Sequence, residues 1–196
     1  MASILIAGVP RSGKSTIARK VAEATGATYF PVDALVSTLG SLYPELGITH
    51  FTDDPGGVST HLAPVLVELQ GHLHYERMAV VLDAYQCFPN DLVAALKHRH
   101  LPPPNAGDAP FGVAYVGYPH ADVKSKSEEI RTHARADDWS QSLDDAALEK
   151  LVERYIRESR EISAQCVELG WSFTDTSADF DTRVSAAVER ISATLS

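Results

Sequence analysis

Gly8-Val9-Pro10-Arg11-Ser12-Gly13-Lys14-Ser15, followed by Thr16, is the stretch that decides the fold. It satisfies every fixed position of the pattern G-x-x-x-x-G-K-[ST]. Gly8 and Gly13 let the chain curl until successive backbone N–H groups point inward at an anion. A helix beginning near Lys14 aims the positive end of its dipole at the same point. Lys14 supplies a mobile charge suited to the β- and γ-phosphates of a nucleotide, and the Ser15 hydroxyl is a ligand for Mg²⁺. The flanks give the required context. Ser3-Ile4-Leu5-Ile6-Ala7 is a short apolar run of the buried-strand kind, and a helical pattern covers Lys14–Thr25 until Gly26 stops it.

Outward from this loop, short apolar runs alternate with helical patterns. Residues 27–32 predict a second strand ending at Asp33, and 34–42 a helix. An irregular stretch, 43–58, contains Pro44, Pro55 and Gly56-Gly57. Ser59 or Thr60 is placed to cap the next helix, which carries Leu62, Val65, Leu66, Leu69 and Leu73. Residues 78–82 form a third buried-strand candidate that ends at Asp83. A short helix at 91–98, a Pro-rich surface loop at 101–110 and a fourth strand at 111–116 follow. A charged stretch, 120–139, leads into a long amphipathic helix at 143–169, a fifth strand at 171–174 and a closing helix at 180–195. Five strands alternating with helices predict an α/β fold, a parallel sheet covered on both faces, in one domain spanning 1–196.

Composition narrows the partners. The chain has 196 residues, 44% hydrophobic and 22% charged, enough for one sizeable core. Lys and Arg number 17 against 26 Asp and Glu, a net charge of −9, which argues against nucleic acid as a partner. No apolar run approaches the roughly 20 residues that span a bilayer, so no membrane association is expected. The start lacks a basic region, and its apolar stretch is too short for a signal peptide. Cys87 and Cys166 are the only cysteines, too few for a disulfide scaffold or a zinc site and in keeping with a reducing cytoplasm. The eight histidines make no metal-ligand pattern.

Gly-Val-Pro-Arg-Ser-Gly-Lys-Ser-Thr near the start of a chain under 200 residues resembles the P-loop small-molecule kinases: adenylate kinases, shikimate kinases and chloramphenicol phosphotransferases. The motif match runs from Ile4 to Thr16, and the order of elements extends the likeness over the chain. The resemblance implies a three-layer α/β/α domain with strand order 2-3-1-4-5, ATP and Mg²⁺ as ligands, and a helical lid at about 120–140. No Asn-Lys-x-Asp guanine-reading motif occurs, and Asp83-Ala84-Tyr85-Gln86 lacks an Asp-x-x-Gly switch, so a GTPase is disfavoured.

The resemblance also assigns roles. Gly8, Val9, Pro10, Arg11, Ser12, Gly13, Lys14, Ser15 and Thr16 would hold the nucleotide, with Lys14 acting on the transferred group. Asp33 would be a general base or an orienting group for the acceptor hydroxyl, and it also suits a helix N-cap. Asp83, after Val80-Val81-Leu82, would hold Mg²⁺ with Ser15, or simply begin a turn. Arg131 and Arg135, four apart, would share one face of a lid helix and neutralise the moving phosphoryl group; a solvated face is the alternative. Lys124 and Lys126 read as surface charges, and Arg154, Arg157 and Arg160 as a solvated face of the long helix. Between Val21 and Glu76 there is no Lys or Arg but seven acids. Desolvated anions need paired charge, so this window predicts a small neutral or cationic acceptor. A nucleoside monophosphate kinase, or a nucleotide-binding regulatory protein without transfer, are the alternatives.

Overall fold

The computed structural model describes residues 3–50, 54–104, 109, 111–136 and 138–195. In chain order the elements are β1 (Ser3–Gly8), α1 (Lys14–Thr25), β2 (Thr28–Pro31), α2 (Val32–Leu42), α3 (Pro55–Tyr75), β3 (Val80–Ala84) and α4 (Pro89–His98). β4 (Phe111–Gly117), α5 (Val123–His133), α6 (Asp145–Leu169), β5 (Ser172–Asp175) and α7 (Phe180–Leu195) complete it, with 3-10 turns at Pro44–Leu46 and Trp139–Ser142.

β1 dictates the layering. Every one of its residues is buried, so both of its faces must be covered. Ile4 and Ile6 pack with Val81, Ala114, Val116 and the apolar faces of α1 and α7. Leu5 and Ala7 pack on the other side, among residues of α2 to α6 such as Leu62, Leu66, Leu92, Val152 and Ile156. All pairings are parallel, in the order β2-β3-β1-β4-β5. This is the expected three-layer α/β/α arrangement. The chain steps from β1 over β3 to β2, then back past β1 to β4. Right-handed crossovers therefore put α1 on one face and α2 to α6 on the other, α7 joins α1, and the crevice opens where the direction reverses, beyond the carboxyl end of β1.

α1 and α7 have the expected bounds; four other boundaries differ in ways that matter for the site. β2 stops at Pro31, which takes the N-cap position of α2, while Val32 is buried as the first helical residue. Asp33 is thus in the first turn of α2 rather than at its cap, where a carboxylate still complements the helix dipole. α3 is capped by Asp54, whose Oδ1 accepts from Gly57 N at 2.9 Å, with Pro55 pre-setting the first turn. Ser59, an expected cap, is buried instead and accepts from Phe88 N at 2.7 Å. β3 runs on to Ala84, so Asp83 is a strand residue opposite Ile6 and Pro31. Finally, α5 ends at His133, and Ala134 is extended, so Arg135 lies past the helix and shares no helical face with Arg131.

Candidate active site

Gly8 and Gly13 do what the motif requires. Gly8 has φ 147° and Gly13 φ 90°, backbone that side chains rarely adopt. A Cβ on Gly8 would overlap the Val116 carbonyl, and one on Gly13 would stand 2.8 Å from the Phe180 ring. Gly13 caps α1 without any side-chain hydrogen bond, which leaves first-turn N–H groups of α1 for an anion. The loop is braced from behind. Ser12 Oγ donates to Val9 O at 2.8 Å, Tyr118 Oη to Pro10 O at 3.0 Å, and Thr176 Oγ1 to Ser12 O at 3.0 Å. Tyr118 leaves the end of β4 and Thr176 the end of β5, so the sheet itself fixes the loop's curvature.

In front of the loop is a cavity of about 800 Å³. It is lined by the loop residues Pro10, Arg11, Gly13, Lys14, Ser15 and Thr16 together with Asp33, His50, Tyr85, Trp139, Leu151, Arg154 and Tyr155. Lys14 is mostly buried, whereas Asp33 is exposed to the open cavity. His50 Nε2 lies 3.0 Å from Asp33 O and 2.8 Å from Ser37 Oγ, which ties the start of α2 to the segment before α3.

The far end is an aromatic and ionic cluster. The rings of Tyr85 and Tyr155 meet edge-on at 6.0 Å and 87°. Tyr85 Oη donates to Glu158 Oε2 at 3.1 Å; Arg154 Nε lies 3.4 Å from Glu158 Oε1, and its guanidinium covers the Tyr155 ring at 5.4 Å. Burial pushes the Glu158 carboxyl up to about 7 against the pull of Arg154 and the Tyr85 hydroxyl. The Tyr85 hydroxyl is raised above its ordinary value by burial and by Glu158.

Of the other expected site residues, Asp83 is buried on β3 and is not on the cavity wall. Its Oδ2 accepts from Tyr29 Oη at 2.9 Å, and Oδ1 has no hydrogen-bond partner among the described residues. An open carboxylate acceptor beside β1, with the Ser15 hydroxyl in the cavity, fits a hydrated Mg²⁺. Arg131 does not reach the cavity. It donates to Ser140 O at 2.6 Å and Leu143 O at 2.7 Å and pairs with Asp145 at 3.1 Å, bracing the connection from α5 to α6. Arg135 is exposed and does not line the cavity either.

Lys126 also departs from the sequence reading. It is 3% exposed, with Nζ 2.7 Å from Glu129 Oε1 and 4.6 Å from the centre of the Tyr118 ring. Arg154, read as solvated, turns into the cavity, while Arg157 pairs with Glu153 on the surface and Arg160 Nε donates to Pro119 O. His50, Trp139, Leu151 and Tyr155 carry no motif. Their only sequence signal is position: three sit in or beside the long helix and one precedes α3.

The sheet order and the phosphate loop at its first βα turn define the fold of the P-loop small-molecule kinases. Solved structures similar over nearly the whole chain are of that class. A gluconokinase from Sinorhizobium meliloti 1021 is 19% identical, with 99% of this chain and 95% of that chain covered and a TM-score of 0.55. A shikimate kinase from Bacteroides thetaiotaomicron is 12% identical, with 99% and 98% covered and a TM-score of 0.58. A shikimate kinase from Acinetobacter baumannii, solved with shikimate, is 16% identical, with 100% and 93% covered and a TM-score of 0.56. No protein-family model matches the chain, and no curated protein matches it in sequence.

Proposed function

We propose that this protein is an ATP-dependent phosphotransferase that moves the γ-phosphoryl group to a hydroxyl of a small neutral or cationic molecule. One observation carries the reading: the phosphate loop and Asp33 line the same cavity. The loop amides and Lys14 hold the β- and γ-phosphates, while Asp33 orients the acceptor hydroxyl opposite them. As the acceptor oxygen bonds to the γ-phosphorus, the bridging oxygen leaves with its electron pair on the β-phosphate, and the hydroxyl proton passes to the Asp33 carboxylate. Ser15 and Asp83 would hold Mg²⁺, which would supply charge neutralisation at the phosphates. Catalysis is then chiefly alignment in the cavity, with the stretch between β4 and α6 serving as a lid that excludes water.

The residues that line the cavity beside the loop support this acceptor class. Tyr85, Tyr155, Leu151 and Trp139 offer apolar and aromatic surface. Arg154 already has Glu158 and the Tyr155 ring, and the segment from Val21 to Glu76 adds no cation. A carboxylate or phosphate on the acceptor would find its charge unmatched, whereas a ring-bearing alcohol or amino alcohol would not. The test is γ-phosphate transfer from ATP across nucleoside monophosphates, sugar acids, nucleosides and amino alcohols. Turnover with one of the last two groups is expected, and robust phosphorylation of a monophosphate or a sugar acid would contradict the acceptor class.

A further inference from the structure

Arg11 stands in the phosphate loop with φ 62°, the left-handed region, where a glycine would normally be found and a long side chain is strained. It is the one non-glycine residue of Gly8–Ser15 so placed. Arg11 lines the cavity, and its guanidinium pairs with Asp138 and lies 5.6 Å from the centre of the Trp139 ring. Both partners belong to the connection between α5 and α6. Ser140 N and Oγ donate to Asp138 Oδ1 at 3.0 and 2.7 Å, which fixes the carboxylate that meets Arg11.

The other cations near the site are committed elsewhere. Arg131 is tied to two carbonyls and Asp145, Arg135 is off the cavity, and Arg154 is paired with Glu158. Arg11 and Lys14 are therefore the cations on the phosphate wall of the cavity. Resting on the phosphotransferase reading above, we propose that Arg11 is the arginine that neutralises the transferring phosphoryl group, with Asp138 holding it in reserve until a triphosphate arrives. Binding of the γ-phosphate exchanges one anionic partner of Arg11 for another. The planar fork then meets phosphoryl oxygens as it met the carboxylate, and no covalent bond is made or broken by Arg11. Placing this charge on the loop leaves Arg131 free to act as a brace, and it couples arrival of the triphosphate to release of the lid at Asp138.

Arg11→Gly is the appropriate variant, because glycine keeps the left-handed backbone without strain. Calorimetry with Mg²⁺ and a non-hydrolysable triphosphate, and separately with MgADP, reads the role without turnover. Removal of Arg11 is expected to weaken triphosphate binding by about tenfold or more and to lower transfer by about a hundredfold. MgADP affinity should stay within about threefold, because the β-phosphate keeps its loop amides and Lys14. Asp138→Asn, which lowers the competing charge, should tighten triphosphate binding. In the parent, triphosphate binding should also change Trp139 fluorescence as Arg11 leaves the ring, a response absent from Arg11→Gly. Equal losses for ADP and triphosphate would mark Arg11 as structural, and unchanged triphosphate affinity would equally overturn the proposal. A parent that binds neither nucleotide would instead overturn the phosphotransferase reading itself.

Discussion

Glu158 shows how much a single buried group can say. It sits on α6 within reach of Tyr85, Arg154, Arg157 and Glu161. Burial raises its carboxyl to about 7, whereas in the unfolded chain it titrates near the ordinary value of about 4.3. Between those values the folded protein holds a proton that the unfolded chain has lost. Stability from this group is therefore complete below about pH 4.3, falls as pH rises through 7, and is level above that. Glu158→Gln should flatten this slope: the melting midpoint of the parent should drop more between pH 5 and pH 8 than that of the variant. Equal drops would contradict the assignment. Such residues were hidden in the sequence for a plain reason. Arg154 and Lys126 lie among charged neighbours that read as a wet helix face, and only packing of α5 and α6 against the sheet shows that they are covered. Arg131 misled in the opposite direction, because its carbonyl partners, Ser140 and Leu143, carry no side-chain signature.

At the scale of elements, the phosphate loop was the legible part. Its residue types are imposed by backbone geometry, and α1 has the bounds its pattern predicts. The elements that brace it were not legible. Thr176 donates to both Ser12 O and Gly117 O, and Tyr118 donates to Pro10 O, contacts between segments far apart in the chain. Thr176→Val keeps the shape of the side chain but takes the hydroxyl donor from Ser12 O, whereas Gly117 O keeps its bond from Thr176 N. About 1–3 kcal/mol of stability should be lost, together with a several-fold loss of MgATP affinity as the loop slackens. Chemical denaturation and calorimetry on the same variant would check both. Lost stability with unaltered nucleotide affinity would mean that the loop holds its curve without this brace. The segment around Asp33 was half legible: the acid was placed near the carboxyl end of β2, but Pro31 starts the helix earlier, so Asp33 projects from a helical turn rather than capping one.

For the molecule as a whole, one fact organises the rest. β1 is buried on both faces and sits where the chain's path through the sheet reverses, so the loop that follows it must stand at the mouth of the crevice. The alternation of apolar runs pointed to a parallel sheet, and the likeness of the Gly8–Thr16 stretch to small-molecule kinases supplied the strand order that the structure has. The acceptor wall could not be read in the same way. Asp33, Tyr85, Trp139 and Tyr155 come from four separate elements and meet only through the fold. Among the described residues no helix is long and apolar enough to cross a membrane, and no group of three or more His, Cys, Asp or Glu side chains could hold a metal by itself.

Calorimetric titration of MgATP into the parent and into Lys14→Ala measures whether the loop from Gly8 to Ser15 grips the phosphates of a nucleotide. Saturable one-to-one binding by the parent is expected, with at least a tenfold weaker affinity for the variant, about 1.4 kcal/mol or more. Equal affinity in the two proteins, or no binding of any magnesium nucleotide by the parent, would contradict it.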